Sequence, residues 1–308
     1  MSTIRRVIVT GATGMIGRTL CRKLTERGYQ VVVFSRSPEA ARRTVPGASE
    51  YVAWAPGEPG AWASAVDGAY GIVHLAGASI AGQRWDAAYK QEILGSRVKG
   101  TRGIVSAIER ARNRPEVLVC SSGIDYYGDK GDTPIDESAA PGNGFISQVC
   151  IAWEREAQRA ETFGVRTSMM RTGIVLDKHD GALAKLLLPF QLFVGGPVLP
   201  GTQWWSWIHL DDVIGMLLLA LENPAASGPF NTTAPEPERN RDFSAILGRV
   251  MGRPALLPTP GFALELILGE MAIPLLIEKQ RALPKKAIEL GYQFAYPRLE
   301  AALRATLG

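Results

Sequence analysis

Apolar and polar positions along this chain alternate between two periods. Val7-Ile8-Val9-Thr10 is a continuous run rich in β-branched side chains, which predicts a strand buried on both faces. Ile16, Leu20 and Leu24 then recur at helical spacing and predict an amphipathic helix running to about Gly28. The alternation continues with strands at Val31–Ser35, Tyr51–Trp54 and Gly71–Leu75, a long helix from about Asp86 to Ala111, a strand at Val117–Ser121, a helix at Ile146–Phe163 and a strand at Arg166–Arg171. Such an order predicts an α/β fold of the Rossmann type, a doubly wound parallel sheet. Beyond about Thr172 segments shorten and prolines accumulate. An added strand at Trp204–Ile208, helices at Asp211–Glu222, Asn240–Gly252 and Gly261–Glu278, a short helix ending at Gly291 and a strand at Tyr292–Tyr296 are expected there. The expected division is a first domain over residues 1–175, to which 205–232 return, and a smaller C-terminal lobe over 176–308 that includes a small domain at about 250–302.

Composition narrows the class. The chain has 308 residues, 46% hydrophobic and 21% charged, as in an ordinary globular protein with a substantial core. The formal net charge is +4, and Lys and Arg are scattered rather than gathered in a run, so no nucleic-acid partner is expected. Cys21, Cys120 and Cys150 form no C-x-x-C and fit buried thiols in a reducing compartment; with a strand starting by Val7 and no room for a signal peptide, a cytoplasmic location is expected. The most apolar stretches, Leu183–Pro200 and Phe262–Ile277, carry Lys185 and Pro189 in the first and Glu265, Glu270 and Pro274 in the second, which argues against a membrane span. The partners expected are a small-molecule substrate and, at most, a second copy of the chain: a monomer or a homodimer.

The candidate chemistry begins where the first strand meets the first helix. Gly11, Gly14 and Gly17 give G-x-x-G-x-x-G at that junction. One glycine permits a tight turn, one lets backbone amides approach a pyrophosphate, and one lets the helix pack against the strand. The helix N-terminus favours the phosphates, so Gly11, Thr13, Gly14, Met15, Ile16 and Gly17 are candidate dinucleotide-binding residues. Right-handed crossovers put the carboxyl ends of the strands on one edge, which brings Leu75, Ala76, Gly77, Ser121, Ser122 and Arg171 toward the same ligand. The second strand ends Ser35-Arg36-Ser37-Pro38, and the first acid after it is Glu39. A carboxylate there would hold a ribose diol; Arg36, aided by Ser35 and Ser37, suits a 2′-phosphate instead, with Arg18 as a second candidate. The expected cofactor is NADP(H).

These motifs resemble the extended short-chain dehydrogenase/reductase superfamily: Thr10 to Gly17, His74-Leu75-Ala76-Gly77, Ser121-Ser122 with Tyr127-Gly128, and Trp207-Ile208-His209-Leu210-Asp211-Asp212-Val213. Gly82-Gln83-Arg84-Trp85 with Lys90, Ser96-Arg97-Val98, Tyr126-Tyr127-Gly128-Asp129 and Cys150-x-x-Trp153-Glu154 resemble more closely its NAD-dependent epimerase/dehydratase-like (nucleoside-diphosphate-sugar epimerase-like) branch. The tail from Leu283-Pro284-Lys285-Lys286 to Tyr296-Pro297 resembles that branch's C-terminal domain of unknown function.

The resemblance implies a tetrad of tyrosine, lysine, serine and asparagine. Matched position by position, the serine falls on Gly123, beside Ser122, and the asparagine on Arg97. Counting back from Glu154, the tyrosine and lysine fall on Ile146 and Cys150. No tyrosine occurs between Tyr127 and Tyr292, and no lysine between Lys130 and Lys178. Tyr126 and Lys130 have the right spacing, but in a glycine-rich loop rather than on a helix. An enzyme here needs another proton donor: Ser122, Tyr126 and Arg97 are the candidates, with Asp125, Lys90 and Arg84 as further groups. His209, Asp211 and Asp212 lack metal-ligand spacing, and an aspartate there is expected to cap the next helix. Trp205 and Trp207 are expected to pack on one strand face, leaving Trp204 for a pocket. The function expected is an NADP(H)-dependent oxidoreductase on an unidentified small molecule. The alternatives are a nucleoside-diphosphate-sugar epimerase or dehydratase, and a non-catalytic NADP(H)-dependent regulator, for which some relatives of this branch carry a cell-division label.

Overall fold

The structure, a computed structural model, describes residues 5–278 and 280–308, so residues 1–4 of the first expected domain lie outside the described residues. Seven strands form one sheet: β1 (Arg6–Thr10), β2 (Gln30–Ser35), β3 (Glu50–Ala53), β4 (Gly71–His74), β5 (Val117–Gly123), β6 (Arg166–Thr172) and β7 (Gly228–Thr232). Their order is β7-β6-β5-β4-β1-β2-β3, with every pair parallel. Strand order reverses between β1 and β4, so a crevice opens at their carboxyl ends, where an open α/β sheet binds ligands.

The helices that cover this sheet are α1 (Met15–Glu26), α2 (Pro38–Thr44), α3 (Ala87–Arg110), α4 (Phe145–Gln158) and α6 (Leu210–Glu222), whereas α5 (Gly181–Gln191) packs away from it. Alternation along the strands decides which helix meets which side chain. Val7, Val9, Val31 and Val33 pack with Leu20 and Leu24 of α1 and Leu217 of α6. Ile8, Val32, Ile72 and Leu118 point the other way, onto Ile104 and Ile108 of α3 and Trp153 of α4. Each such large side chain contributes roughly 1.5–3 kcal/mol by leaving water. A separate core lies away from the sheet, where Trp205 and Trp207 meet Phe243 and Leu303.

Several expected elements take another form. The seventh strand is Gly228–Thr232, not the tryptophan segment. Trp204–Trp205 pairs antiparallel with Glu238–Arg239, and Trp207–His209 pairs with Ile174–Leu176. Ser206, between them, is buried and donates its hydroxyl to the Gln280 carbonyl at 2.6 Å, which splits the run. The helix expected at Gly261–Glu278 stops at Leu268, where Gly269 takes φ +71, and a π-turn follows at Ile273–Ile277. Tyr292–Tyr296 is not a strand, because the Ala295 and Tyr296 amides donate to the buried carboxylate of Asp212, at 2.8 and 3.0 Å, instead of to a ladder. Pro38 opens α2, with Ser37 as its cap. Among the described residues no helix is long and apolar enough to cross a membrane.

Candidate functional site

β1 runs into a turn that tolerates no side chain at two positions. Gly11 takes φ +66, and a Cβ there would lie 2.8 Å from the Leu75 carbonyl carbon. A Cβ on Gly17 would lie 2.3 Å from the Gly11 carbonyl oxygen. At Gly14 the nearest atom would be 3.4 Å away, so that glycine leaves open space beside the helix start. Gly14 caps α1 with no side-chain hydrogen bond, and the first turn holds no acid. The amides of Met15, Ile16 and Gly17 therefore keep the positive end of α1 available to an anion.

The crevice beside this turn encloses ≈ 430 Å³. Gly11, Thr13 and Gly14 form one wall, and Leu75, Ala76 and Gly77 the opposite one. Ser35 and Arg36 close the end above β2, beside Trp54. These eight candidate residues are thus brought together. Met15, Ile16 and Gly17 stand behind them in the first turn of α1. The exposed Arg36 guanidinium makes no hydrogen bond or ion pair among the described residues. Arg18 instead donates to the Thr13 carbonyl at 3.0 Å, bracing the turn. The residues fit a dinucleotide: a diphosphate at the helix start and a phosphorylated ribose within reach of Arg36.

A buried clamp holds the opposite wall. The Thr10 hydroxyl oxygen accepts the Leu75 and Ala76 amides, each at 3.2 Å. Its own proton is then directed to His74 Nδ1, 2.7 Å away, which fixes the ring with its proton on Nε2. Sequence reasoning quoted His74 only as part of a motif; its link to Thr10 spans two strands and has no local signal. Burial pushes the His74 pKa down to about 4 from 6.5, so the folded imidazole stays neutral. The unfolded chain protonates below about 6.5 and the folded chain does not until about 4, so stability falls as pH drops through that window, by ~1.4 kcal/mol per unit. His74→Gln is expected to lower the slope of unfolding free energy against pH by that amount, measured by urea titrations from pH 4 to 7.

Arg171 does not line this crevice, contrary to expectation. It is 3% exposed, and its guanidinium donates to both oxygens of Glu154 at 2.8 Å and to the Tyr127 hydroxyl at 2.9 Å. The reason is tertiary: α4 turns the Glu154 carboxylate onto β6, where it is cut off from water and needs a cation. Ser122 is drawn into the same group, its hydroxyl donating to Glu154 at 2.6 Å. Ser121, next to it on β5, is absent from the crevice lining as well.

Beyond Gly77 three polar groups converge from three elements. Arg97 of α3 is 7% exposed; its Nη1 donates to the Ala78 and Ile93 carbonyls at 3.0 and 3.1 Å, and the guanidinium lies 5.0 Å over the Trp153 ring. Asp125 is half-buried in the turn after β5. Burial, reinforced by Glu278, pushes its pKa up to about 6, against the pull of Arg97. Cys150 of α4 is buried, and its thiol is pushed up to about 12.

Other candidates are engaged elsewhere. Tyr126 lies within a 3-10 turn (Ile124–Tyr127) that Gly128 breaks at φ +63, so Lys130 does not share a helical face with it; the Tyr126 ring is covered by Arg171 at 3.5 Å. Lys90 pairs with Glu270 at 2.6 Å and Arg84 packs on Gly269, so α3 and the loop before it are tied to the Gly269–Glu270 turn. The cap of α6 is His209, whose Nδ1 accepts the Asp211 amide at 3.1 Å; neither aspartate has that role. Trp204 is stacked between Arg239 and Arg281 and donates to Asp132 at 3.0 Å. Among the described residues no group of His, Cys, Asp and Glu is placed to hold a metal ion.

Comparison with known proteins agrees with this geometry. The chain is 40% identical over 303 residues to an Arabidopsis thaliana protein named "Epimerase family protein SDR39U1 homolog, chloroplastic", covering 98% of this chain and 86% of the relative. Its structure resembles that of human epimerase family protein SDR39U1 with NADPH, at TM-score 0.85 and 33% identity, covering 98% of each chain. It also resembles a nucleoside-diphosphate sugar epimerase from Corynebacterium glutamicum, at TM-score 0.80 and 29% identity, covering 99% of this chain and 59% of that one. Residues 259–306 match a domain of unknown function, DUF1731. Residues 7–232 match the NAD dependent epimerase/dehydratase family, and the chain belongs to that family of extended short-chain dehydrogenases/reductases.

Proposed function

We propose that this chain binds NADP(H) in the crevice at the β1–β4 switch point and is an oxidoreductase acting on a small carbonyl compound. The observation that carries the reading is Arg36, a guanidinium just past β2 with no partner among the described residues, in the same crevice as the uncapped start of α1. Amides from Thr13 to Gly17 would hold the diphosphate, and Arg36 with Ser35 the 2′-phosphate. Support also comes from the human relative solved with NADPH. NADPH, when bound, supplies a hydride equivalent. Ile146 and Cys150 stand where the superfamily's tyrosine and lysine are expected, so the usual proton route is replaced. The free, buried thiols of Cys21, Cys120 and Cys150 support a reducing compartment such as the cytoplasm.

Fluorescence titration tests the shared premise. NADPH is expected to bind more tightly than NADH. Arg36→Ala is expected to weaken NADPH by about 10- to 100-fold, the worth of a charge-assisted hydrogen bond, and to leave NADH within about twofold. Equal wild-type affinities for the two would reject the reading. An epimerase acting on a nucleoside-diphosphate sugar is the second reading, favoured by the likeness to the Corynebacterium glutamicum protein. Isomer exchange in a sugar-nucleotide panel, without net NADPH oxidation, would select it.

A further inference from the structure

The oxidoreductase reading leaves one proton without a source. A carbonyl oxygen that becomes an alkoxide needs an acid, and that help is typically worth ~10²–10⁴ in rate. Ile146 offers only hydrocarbon, and the Cys150 thiol is too weak an acid. Gly123, in the expected serine position, has no side chain, and the space in front of it is taken by another residue. A Cβ on Gly123 would lie 3.2 Å from Asp125 Oδ2 and 3.7 Å from Cys150 Sγ. The Asp125 carboxyl thus occupies the place toward which a serine hydroxyl would project.

Arg97 reaches the same region from the opposite side. Its guanidinium carbon is 3.1 Å from where a Cβ on Gly77 would stand, so it backs the crevice wall itself. Among the described residues no carboxylate comes within ion-pairing distance of it; backbone carbonyls and the Trp153 ring are its partners. A buried cation without a counter-ion is costly to keep unless negative charge arrives beside it.

Resting on the oxidoreductase reading, we propose that Asp125 donates the proton to the substrate oxygen and that Arg97 is the fixed positive charge that stabilises the anions formed. As hydride adds to the carbonyl carbon, the π pair of the C=O bond moves to oxygen. The O–H bond of the Asp125 carboxylic acid breaks, its proton forms the new alcohol O–H bond, and its electron pair stays on Asp125 as carboxylate. Arg97 favours first the developing alkoxide and then that carboxylate. Solvent then returns a proton to the Asp125 carboxylate.

The groups facing Asp125 fit this role. Arg97 from α3 lowers its pKa, and Glu278, just past the Ile273–Ile277 turn, raises it. Cys150 from α4 stays neutral, and Ser147 of the same helix binds the Asp125 carbonyl at 2.6 Å, fixing the turn. A carboxyl that titrates at about 6 keeps on the order of a tenth of its proton at pH 7, far more than an ordinary aspartate.

Carbon-13 NMR of aspartate carboxyls, assigned by Asp125→Asn, reads the titration directly. Asp125 is expected near 6 and still higher in Arg97→Gln; a value near 4 in the wild type would overturn the proposal. In parallel, NADPH oxidation is followed with a panel of aldehydes, quinones and α-keto acids. Asp125→Asn is expected to lose 10²–10⁴-fold in rate while NADPH affinity stays within about twofold, which also shows that the variant folds. Arg97→Lys is expected to recover part of the rate lost in Arg97→Gln. Turnover retained by Asp125→Asn would sink the proposal and leave the oxidoreductase reading standing. A wild type that binds NADPH and reduces nothing in the panel would remove that reading, and the donor role with it.

Discussion

Gly17→Ala is expected to weaken NADPH binding by at least 100-fold, measured by fluorescence titration, although it adds a single methyl group. That methyl would lie 2.3 Å from the Gly11 carbonyl oxygen and 2.6 Å from Ala12 Cα, both backbone atoms that cannot swing aside. To relieve the overlap α1 must back away from the turn, and its first-turn amides leave the positions from which they would meet a diphosphate. Losing two or more charge-assisted hydrogen bonds, each worth about 1.5–3 kcal/mol, accounts for the size of the effect. Gly95→Ala is the control: it lies within α3, has open space where the methyl would go, and is expected to leave binding unchanged while stabilising the helix by ~0.5–1 kcal/mol. If both variants bound NADPH like the wild type, the close approach of α1 to β1 would not be what shapes the site.

The second large effect concerns stability. Arg171→Met is expected to destabilise the fold by ~3–5 kcal/mol in urea unfolding, because it strands the Glu154 carboxylate with the Ser122 hydroxyl as its remaining side-chain donor. Glu154→Gln removes the other half of the pair and is expected to cost a comparable amount. The double variant Glu154→Leu with Arg171→Met should lose far less than the sum of the two single changes, since neither charge is then left buried alone. Additive losses would mean that the two groups do not depend on each other.

The fate of Arg171 shows where sequence reading stops. Six of the seven sheet strands were legible because short apolar or β-branched runs recur at βα spacing between helical segments, and the turn from Gly11 to Gly17 because its glycines are close in sequence and each has a local reason. The strand Gly228–Thr232 was not, since Gly228, Pro229 and Asn231 are poor strand formers; it survives at the sheet edge, beside β6, where Pro229 can do without a full ladder. Of the eight crevice residues, Gly11, Thr13 and Gly14 were legible from the glycine spacing, Ser35 and Arg36 from their chemistry at a strand end, and Leu75, Ala76 and Gly77 from topology. Arg171 also sits at a strand end, but Glu154, 17 positions away on a helix, claims it, and no spacing rule foretells which side chain a buried carboxylate will take. The meeting of Arg97, Asp125 and Cys150 is of the same kind, made by three elements whose registers are set by packing.

The carboxylate of Asp212, 1% exposed at the start of α6, depends on donors that arrive about eighty residues later: the Ala295 and Tyr296 amides and the Tyr292 hydroxyl. A chain halted short of Tyr292 would hold that charge inside an apolar layer with nothing to answer it. During synthesis the sheet strands and α6 emerge before residues 292–296, so that later segment acts as the clasp on a sheet made long before it.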